Sequence, residues 1–288
     1  MSAMALKIGR MNRLQVCKQV DFGIFLDGGD PKTGGHGNIL MPMRYVPKDC
    51  ELNDELDVFI YLDSEDRLIA TSERPYAMVG ECALLKVAEV TRHGIFLEWG
   101  LPKDLLLPFN EQITRMEAGK SYIVLIYLDD DGRIAASAKI DEFLHDVDDE
   151  GLYAVGEAVS LFNAAKTDLG YKMVVNDSHW GLLHRQALVR ELRRGERLQG
   201  FIKQVRPDGK IDLCLHQKPS EKSDEVGEMI LSSLESAGGF LPLNDKSDPE
   251  LIKQRFGISK VMFKKAIGAL YKQHEITIEK DGIHRQMR

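Results

Sequence analysis

Rings and a glycine recur at two matching points of this 288-residue chain. The string FGIFLDGG begins at Phe22 and contains Phe25, and the string HGIFLEWG begins at His93 and contains Phe96. Rings that stand on an open β-surface stack on planar groups of a ligand. A ring in a small β-module is more often part of the core, so the repeated spacing beside a glycine is what favours binding over packing.

A basic side chain recurs at a second pair of matching points. The strings VFIYLDSEDRLIATSE and VLIYLDDDGRIAASAK, which begin at Val58 and Val124, place Arg67 and Arg133 at the same position. Basic side chains track phosphates while rings stack on bases, so the two features together indicate contact with single-stranded nucleic acid.

A fainter third copy begins with LGYKMVVN at Leu169 and continues with GFIKQVRPDGKIDLCL at Gly200. Both strings start 76 residues after their second-copy counterparts, which predicts that no insertion separates these two copies. In this copy Lys172 stands at the position of the second ring, Tyr171 is the nearest ring, and Lys210 takes the basic position.

The sequence around these repeated strings predicts small β-barrels. Short runs of Val, Ile, Leu, Phe and Tyr are interrupted by Gly, Asp and Pro, which is typical of all-β modules. Asp131-Gly132 and Asp208-Gly209 are pairs that close hairpins, and the glycine after the first ring is expected to act as a bulge or bend inside its strand. We predict three tandem five-stranded barrels, in residues 1–75, 76–146 and 147–218.

The remaining segment, residues 219–288, predicts an α+β winged-helix domain of three helices followed by a hairpin. Asp248-Pro249 indicates a helix start, Gly257 a helix stop, and Ser259 the N-cap of the third helix. The hairpin is predicted to turn at Asp281-Gly282. The fold class is therefore mainly β and multidomain.

The third helix of this domain has an apolar and a basic side on a helical wheel. The apolar side carries Phe263, Ala266, Ile267 and Leu270. The opposite arc carries Lys260, Lys264, Lys265 and Lys272, with Gly268 between them. We expect the lysines to contact phosphates, because the third helix of a winged helix is the usual nucleic-acid reader.

The repeated units resemble the S1 motif, an RNA-binding version of the OB-fold. That motif joins an aromatic-Gly-x-aromatic strand to a Gly-Leu-x-His turn and a basic residue on the closing strand. In the third copy the string WGLLH supplies His184, whereas the first two copies have Pro42 and Pro108 at that point. With a winged helix after three such units, the whole chain resembles the conserved virulence factor B family of bacterial RNA-binding proteins.

The resemblance implies a set of RNA-contacting side chains. From the barrels these are Phe22, Phe25, Arg67, His93, Phe96, Arg133, Tyr171, Lys172, His184 and Lys210, and from the third helix Lys260, Lys264, Lys265 and Lys272.

Charge is distributed unevenly along the chain, whose formal net charge is −7. Residues 1–152 carry −11, residues 153–217 carry +3, residues 218–250 carry −5, and residues 251–288 carry +6. Phosphate contacts dominate the affinity for nucleic acid. The third barrel and the winged helix are therefore the predicted high-affinity surface, although the rings are better preserved in the first two barrels.

The chain offers no motif for catalysis, for a cofactor or for a metal, and we expect none of the three. No nucleophile stands at a motif spacing from a base, the glycine-rich loop lacks GK[ST], and the Asp129–Asp131 turn has no further ligands. The four cysteines form no CxxC pair and are expected to be buried free thiols. Without a secretory signal or an apolar run of about 18 residues, we expect a cytoplasmic protein without membrane contact.

Two functions fit these patterns. One is an RNA-binding regulator of gene expression that uses the barrels to hold single-stranded RNA. The other is a regulator of transcription that binds duplex DNA through the winged helix and uses the barrels as sensors. The first is favoured because three repeats share the single-strand binding motif and the basic charge extends over two adjacent modules. A winged helix can also bind protein or serve as a scaffold, and the patterns leave any protein partner unknown.

Overall fold

The computed structural model describes residues 6–31, 35–63, 65–185, 188, 190–216 and 219–286, with the side chains of 219–224 left aside. The chain forms two compact units, residues 1–145 and residues 146–288. The first contains two barrels, and the second contains a third barrel and a winged helix. The predicted fold class is confirmed. No helix in the described part of the chain is long and apolar enough to cross a membrane.

The first barrel closes in the order β1-β2-β3-β5-β4. Its strands are β1 (Met11–Val20), β2 (Gly23–Asp27), β3 (Asn38–Pro42), β4 (Glu55–Leu62) and β5 (Leu68–Thr71). All neighbours are antiparallel except β3 and β5, which pair in parallel at Leu40 and Ile69. This parallel pair is what closes the barrel.

The second barrel repeats this order but remains an open sheet, β10-β9-β6-β7-β8. Its strands are β6 (Cys82–Thr91), β7 (Gly94–Glu98), β8 (Leu105–Leu107), β9 (Ser121–Leu128) and β10 (Ile134–Ser137). The edge strands β8 and β10 lie side by side, so the barrel is nearly closed.

The third barrel is closed in the order β11-β12-β13-β15-β14. Its strands are β11 (Ala158–Lys166), β12 (Gly170–Val175), β13 (His179–His184), β14 (Arg197–Val205) and β15 (Ile211–Cys214). As in the first barrel, a parallel pair, β13 with β15, completes the circle.

The predicted role of the motif glycines as bulges is wrong. The bulge of each barrel lies in the preceding strand, for example between Val16 and Lys18 of β1. Gly23 and its counterparts Gly94 and Gly170 begin the next strand. A Cβ on Gly23 would lie 2.3 Å from the carbonyl oxygen of Met41, so close approach of two backbones is what requires glycine there.

A one-residue insertion does separate the second and third copies, contrary to the sequence prediction. The register of β14 with β15 shifts between Ile202 and Gln204, so Lys203 is an extra, bulged residue. Before the bulge the two copies are offset by 76 residues and after it by 77, which places Lys210 level with Arg133. The bulge keeps the later side chains on their original faces.

The first and second barrels have separate cores but pack together along β4. β4 has four consecutive buried residues, Val58 to Tyr61, although successive side chains of a strand point to opposite faces. Val58 and Ile60 point into the first barrel, and Phe59 and Tyr61 pack among residues of the second. The ring of Phe59 meets that of Trp99 edge-on, with centroids 5.8 Å apart. Both faces of β4 are therefore covered.

The winged helix follows the predicted order. It consists of α1 (Pro219–Ser236), β16 (Phe240–Leu241), α2 (Pro249–Phe256), α3 (Lys260–Lys272), β17 (Ile276–Ile278) and β18 (Ile283–Arg285). The predicted caps are confirmed: the Asp248 side chain accepts from Glu250 N, the Ser259 side chain accepts from Met262 N, and Gly257 is left-handed. Phe263, Ala266, Ile267 and Leu270 are buried in its core.

The cysteines only partly follow the sequence prediction. All four are free thiols, as expected, but only Cys82 is buried. Cys17 is exposed, and Cys50 and Cys214 are partly exposed. Cys17 lies on the outward side of β1, where its thiol donates to the carbonyl oxygen of Phe25. An apolar run in the sequence does not show which face of the strand a thiol occupies.

Candidate nucleic-acid interface

A groove lies on the corresponding face of each barrel, between the second strand, the third strand and the closing hairpin. Groove 1 is lined by Phe25, Leu40 and Arg67, groove 2 by Phe96, Leu106 and Arg133, and groove 3 by Lys172, Leu182 and Lys210. In each sheet the first of these residues pairs directly with the leucine. The grooves enclose about 370, 280 and 430 Å³ respectively.

The structure brings the predicted rings of the first barrel together. Phe22 is 62% exposed, and its ring meets that of Phe25 edge-on with centroids 6.4 Å apart. In the second barrel His93 is exposed and accepts a hydrogen bond from Arg92, while Phe96 is half-buried. These side chains stand where a base could reach them.

The predicted arginines of grooves 1 and 2 are held by carboxylates of their own turns. Arg67 Nη2 lies 2.9 Å from Asp63 Oδ2, and Arg133 Nε lies 3.0 Å from Asp129 Oδ2. Burial opposes ionisation of Asp129, but hydrogen bonds from Arg133 and Asp131 more than offset it and hold its pKa below the ordinary value. The charge of each arginine is therefore largely neutralised before any ligand arrives.

Groove 2 is acidic as well as apolar. Asp104 lies at the edge of this groove, and its pKa is raised mainly by burial and further by the negative charges of Glu98 and Glu89. Glu89 pairs directly with Phe96 across β6 and β7, so the two side chains lie on the same face of the sheet. Lys103 reaches across to the carbonyl oxygens of Leu62 and Asp63 of the first barrel. A phosphate would meet repulsion here.

Groove 3 has a basic residue at the position of the closing turn where grooves 1 and 2 have an aspartate. The backbone bond that opens the closing turn runs from Asp129 N to Arg133 O in the second barrel and from Arg206 N to Lys210 O in the third. An arginine thus occupies the place of the aspartate that neutralises Arg133. Arg206 Nε lies 3.5 Å from Asp212 Oδ1 and 3.9 Å from Asp208 Oδ1, so carboxylates also compensate its charge. No ion pair is found for Lys210 within the described ranges, so Lys210 differs from Arg133 in this respect.

The three grooves consequently differ in formal charge. The charged residues lining groove 2 are Lys103, Arg133, Asp66, Asp104 and Asp129, a net −1. Those lining groove 1 are Arg67 and Asp63, a net 0, and those lining groove 3 are Lys172, Arg206, Lys210, Asp146 and Asp168, a net +1.

One prediction for the third barrel needs correction. Tyr171 lies in the core and is only 2% exposed, because the first residue after the motif glycine points into the barrel, so it is not placed to stack on a base. His184 Nε2 lies 3.3 Å from Asp212 Oδ1. Its side chain is partly exposed at the end of β13, outside groove 3.

Sequence reasoning missed Trp180. It stands on the outward side of β13, and Lys172 Nζ lies 3.7 Å from the centroid of its ring. The string WGLLH contains it, and strand alternation from His184 back through Leu182 would have placed all three on one face. The third barrel therefore does carry a ring in its groove, on the neighbouring strand.

A second missed feature is the arginine-rich connection between β13 and β14. It contains Arg185, Arg190, Arg193, Arg194 and, at its end, Arg197. Arg190 is paired with Glu196 and Arg197 with Asp177, whereas Arg185, Arg193 and Arg194 are exposed. A count of charge within this segment alone would have found it.

The exposed side of α3 is centred on Gly268. Lys264, Lys265 and Lys272 are exposed around it, and Lys260 is partly buried at the edge of the apolar side. Lys264 Nζ lies 3.9 Å from Asp245 Oδ2. Val261, 80% exposed, and Tyr271 add apolar surface that the helical-wheel reading of the lysines did not include. This side combines cations, a ring and open backbone.

One group in the described residues has the composition of a metal site. Glu279, Asp281 and His284 of the hairpin bring possible ligand atoms within 4.8 Å of one another. Both carboxylates are exposed, and the ring of His284 also packs on Phe240. Asp129 and Asp131, by contrast, contact Arg133.

Comparison with known proteins places these features in a family. Residues 8–73 and 79–139 match the S1 domain, and residues 228–284 match the CvfB-like winged helix domain. Over 246 residues the chain is 30% identical to conserved virulence factor B of Staphylococcus aureus (strain N315). The match covers 80% of this chain and 79% of that protein. The chain belongs to the conserved virulence factor B family.

Other relatives extend over nearly the whole chain. YitL of Bacillus subtilis is 29% identical over 285 residues, covering 94% of this chain and 91% of that protein. A solved multidomain protein with nucleic acid binding domains from Streptococcus pneumoniae is 23% identical and covers 96% of this chain and 98% of its own, with a TM-score of 0.40. In this member of the conserved virulence factor B family the S1 match ends before the third barrel, where Lys172 departs from the ring pattern.

Proposed function

We propose that this protein is a cytoplasmic regulator of gene expression that binds single-stranded RNA without catalysing a reaction. The S1 and winged-helix domains support binding of nucleic acid. The observation that carries the proposal is the exchange of Asp129 for Arg206 at the closing turn of groove 3, where Lys210 has no ion pair among the described residues. Lys172 and Lys210 supply cations beside an aromatic ring, the combination that single strands require.

The second candidate is binding of duplex DNA. It rests on α3, whose exposed lysines surround Gly268 as expected for a recognition helix. A Cβ at Gly268 would meet no atom within 4 Å, so a ligand can approach the helix backbone there. We favour RNA because groove 3 offers a stacking ring, and a ring reaches a base only when the base is unstacked from its neighbours.

Fluorescence anisotropy separates the two candidates. An unstructured single-stranded RNA and a duplex DNA of equal length are titrated with the full chain at one salt concentration of about 100 mM, because affinities at different salt cannot be compared. Tighter binding of the RNA is expected. Tighter binding of the duplex would overturn the proposal in favour of the second candidate.

The two compact units provide a second test. Residues 146–288 carry 22 basic and 22 acidic residues, whereas residues 1–145 carry 16 and 23. The fragment 146–288 should keep most of the RNA affinity, because it contains groove 3, the arginine-rich connection and α3. Equal or stronger binding by the fragment 1–145 would contradict this.

A further inference from the structure

The aromatic ring in groove 3 lies on the third strand of its barrel, whereas the ring in groove 1 lies on the second strand. In the first barrel Phe25 pairs with Leu40, and Asn38 stands diagonally from it on β3. In the third barrel Lys172 pairs with Leu182, and Trp180 takes the diagonal place. Diagonal neighbours in a sheet are within reach of long side chains, which explains why the lysine ammonium lies over the indole.

We propose that groove 3 holds one nucleotide, with its base stacked on Trp180 and its phosphate bound by Lys172. The inference rests on the nucleic-acid binding proposed above and identifies the residue that would contact the base. Trp180 is only 6% exposed, and the Lys172 ammonium lies over its ring, 3.7 Å from the centroid. A lysine side chain is long and flexible, so it can leave the ring for a phosphate and uncover the stacking face.

The indole nitrogen is a second, independent indication. Trp180 Nε1 is buried and has no hydrogen-bond acceptor among the residues that the structure describes. The other tryptophan, Trp99, donates from Nε1 to the carbonyl oxygen of Lys103 at 2.6 Å. A buried indole N–H normally finds an acceptor, and a ribose or phosphate oxygen of the bound nucleotide, which can lie in the plane of the ring while the base stacks on its face, would supply one.

The remaining walls of groove 3 fit a nucleotide better than an acidic peptide. Leu182 and Ile211 supply an apolar floor beside the ring, and Lys210 supplies a further cation for phosphate. Asp168 on the rim is a hydrogen-bond acceptor that a ribose hydroxyl or a base amino group satisfies. A peptide carboxylate would leave the indole face unused.

The two tryptophans allow a direct experiment. In the full chain carrying Trp99→Phe, emission comes from Trp180 alone. This variant is titrated with a short oligoadenylate and with an abasic strand of equal length, which keeps the phosphates but has no bases. Binding of both strands is measured separately by anisotropy of a label on the strand.

We expect oligoadenylate to quench Trp180 strongly and the abasic strand to change its emission little. Lys172→Gln in the same background should increase quenching by acrylamide in the absence of a ligand, because the ammonium no longer covers the ring. Equal emission changes with both strands, while anisotropy reports oligoadenylate binding, would overturn the stacking inference and leave the proposed function intact. Absence of binding by anisotropy would overturn both.

Affinities of two substitutions complete the test. Trp180→Phe keeps a planar ring and should retain oligoadenylate binding within about threefold, whereas Trp180→Leu should weaken it about tenfold, the effect of one lost stack. Binding of the abasic strand should not change in either variant. Unchanged oligoadenylate affinity in a Trp180→Leu protein that unfolds with the cooperativity of the parent would overturn the inference. If Trp180→Leu fails to fold, the quenching comparison decides it without that variant.

Discussion

The Arg133 guanidinium and the Asp129 carboxylate form an ion pair of 3.0 Å across the turn that closes the second barrel. The same pair recurs in the first barrel between Arg67 and Asp63. These arginines occupy the basic position of the S1 pattern, yet each is already bonded within its own turn. The basic residue of the S1 pattern therefore stabilises its own turn in the first two barrels. In the third barrel the corresponding residue, Lys210, has no such ion pair among the described residues.

We predict that Arg67→Gln and Arg133→Gln leave RNA affinity within about twofold, because each guanidinium already makes charge-assisted hydrogen bonds to carboxylates of its own turn. Lys210→Gln should weaken binding and make the slope of log affinity against log salt shallower by about 0.7, the value for one phosphate contact on a single strand. Salt titrations by anisotropy measure both. Lys120→Gln, which removes a paired lysine of the second barrel, is the control of equal charge. A loss for Arg133→Gln as large as for Lys210→Gln would contradict the assignment.

The aspartates of these turns predict acid sensitivity of the first unit. The pKa values of Asp63 and Asp129 are lowered in the folded chain, so their stabilisation is complete above the ordinary pKa and is lost as pH falls through the folded value. The free energy of unfolding should fall below about pH 4 in the parent and fall less in the variant Asp63→Asn with Asp129→Asn. Urea unfolding followed through Trp99 in the fragment 1–145 measures this. Parallel pH profiles for the two proteins would refute the assignment.

Rings in grooves of different charge should contribute unequally. Phe22→Ala with Phe25→Ala should weaken single-stranded RNA binding by roughly 1 to 3 kcal/mol for each lost stack. His93→Ala with Phe96→Ala should weaken it less, because Glu89 and Asp104 repel phosphate near Phe96. Anisotropy gives the affinities, and thermal unfolding checks that both variants fold. The reverse order of effects would show that charge does not decide which ring is used.

The lysines of α3 give a fourth prediction. Changing Lys260, Lys264, Lys265 and Lys272 to Gln leaves the apolar side intact, so thermal stability should barely change. The salt slope should become shallower by about 0.7 for each lysine that contacts a phosphate. The control changes Lys7, Lys48, Lys86 and Lys120, which lie in the first unit and remove the same charge. An unchanged slope in the α3 variant would leave the winged helix to a protein partner.

Gly268→Ala should stabilise the chain and weaken binding at the same time. Glycine inside a helix costs roughly 0.5 to 1 kcal/mol relative to alanine, and a Cβ at this position would meet nothing within 4 Å. A ligand that approaches the helix backbone would meet the added methyl group. Denaturant unfolding and anisotropy measure the two effects. The matched control is Gly227→Ala in α1, whose Cβ would touch Leu270 inside the domain, so binding should not respond. Unaltered RNA affinity in Gly268→Ala would show that the glycine has no binding role.

Features set by local chemistry were predictable from the sequence. The helix caps at Asp248 and Ser259 and the glycine stop at Gly257 depend on residues a few positions apart, and the structure has all three. The three barrels follow from a repeat that needs no knowledge of packing. The basic side of α3 follows from helical periodicity, since its apolar counterpart is buried.

Features set by tertiary structure were not predictable in the same way. Whether Tyr171 points inward depends on which face of β12 the core occupies, and the closed ring of strands decides that. The bulge at Lys203 is hidden because two strings of similar length align without a visible gap. The ion pair of Asp129 with Arg133 could have been suspected from their spacing, but only the turn geometry shows that both side chains meet.

The contact of Phe59 with Trp99 also limits how repeats of this protein can be gained or lost in evolution. A genetic deletion that removed the second barrel would leave Phe59 and Tyr61 of the first facing water, since their packing partners belong to the other repeat. Loss of the second barrel alone would therefore create an apolar, aggregation-prone surface on the first. Copies of this fold should gain or lose these two repeats together.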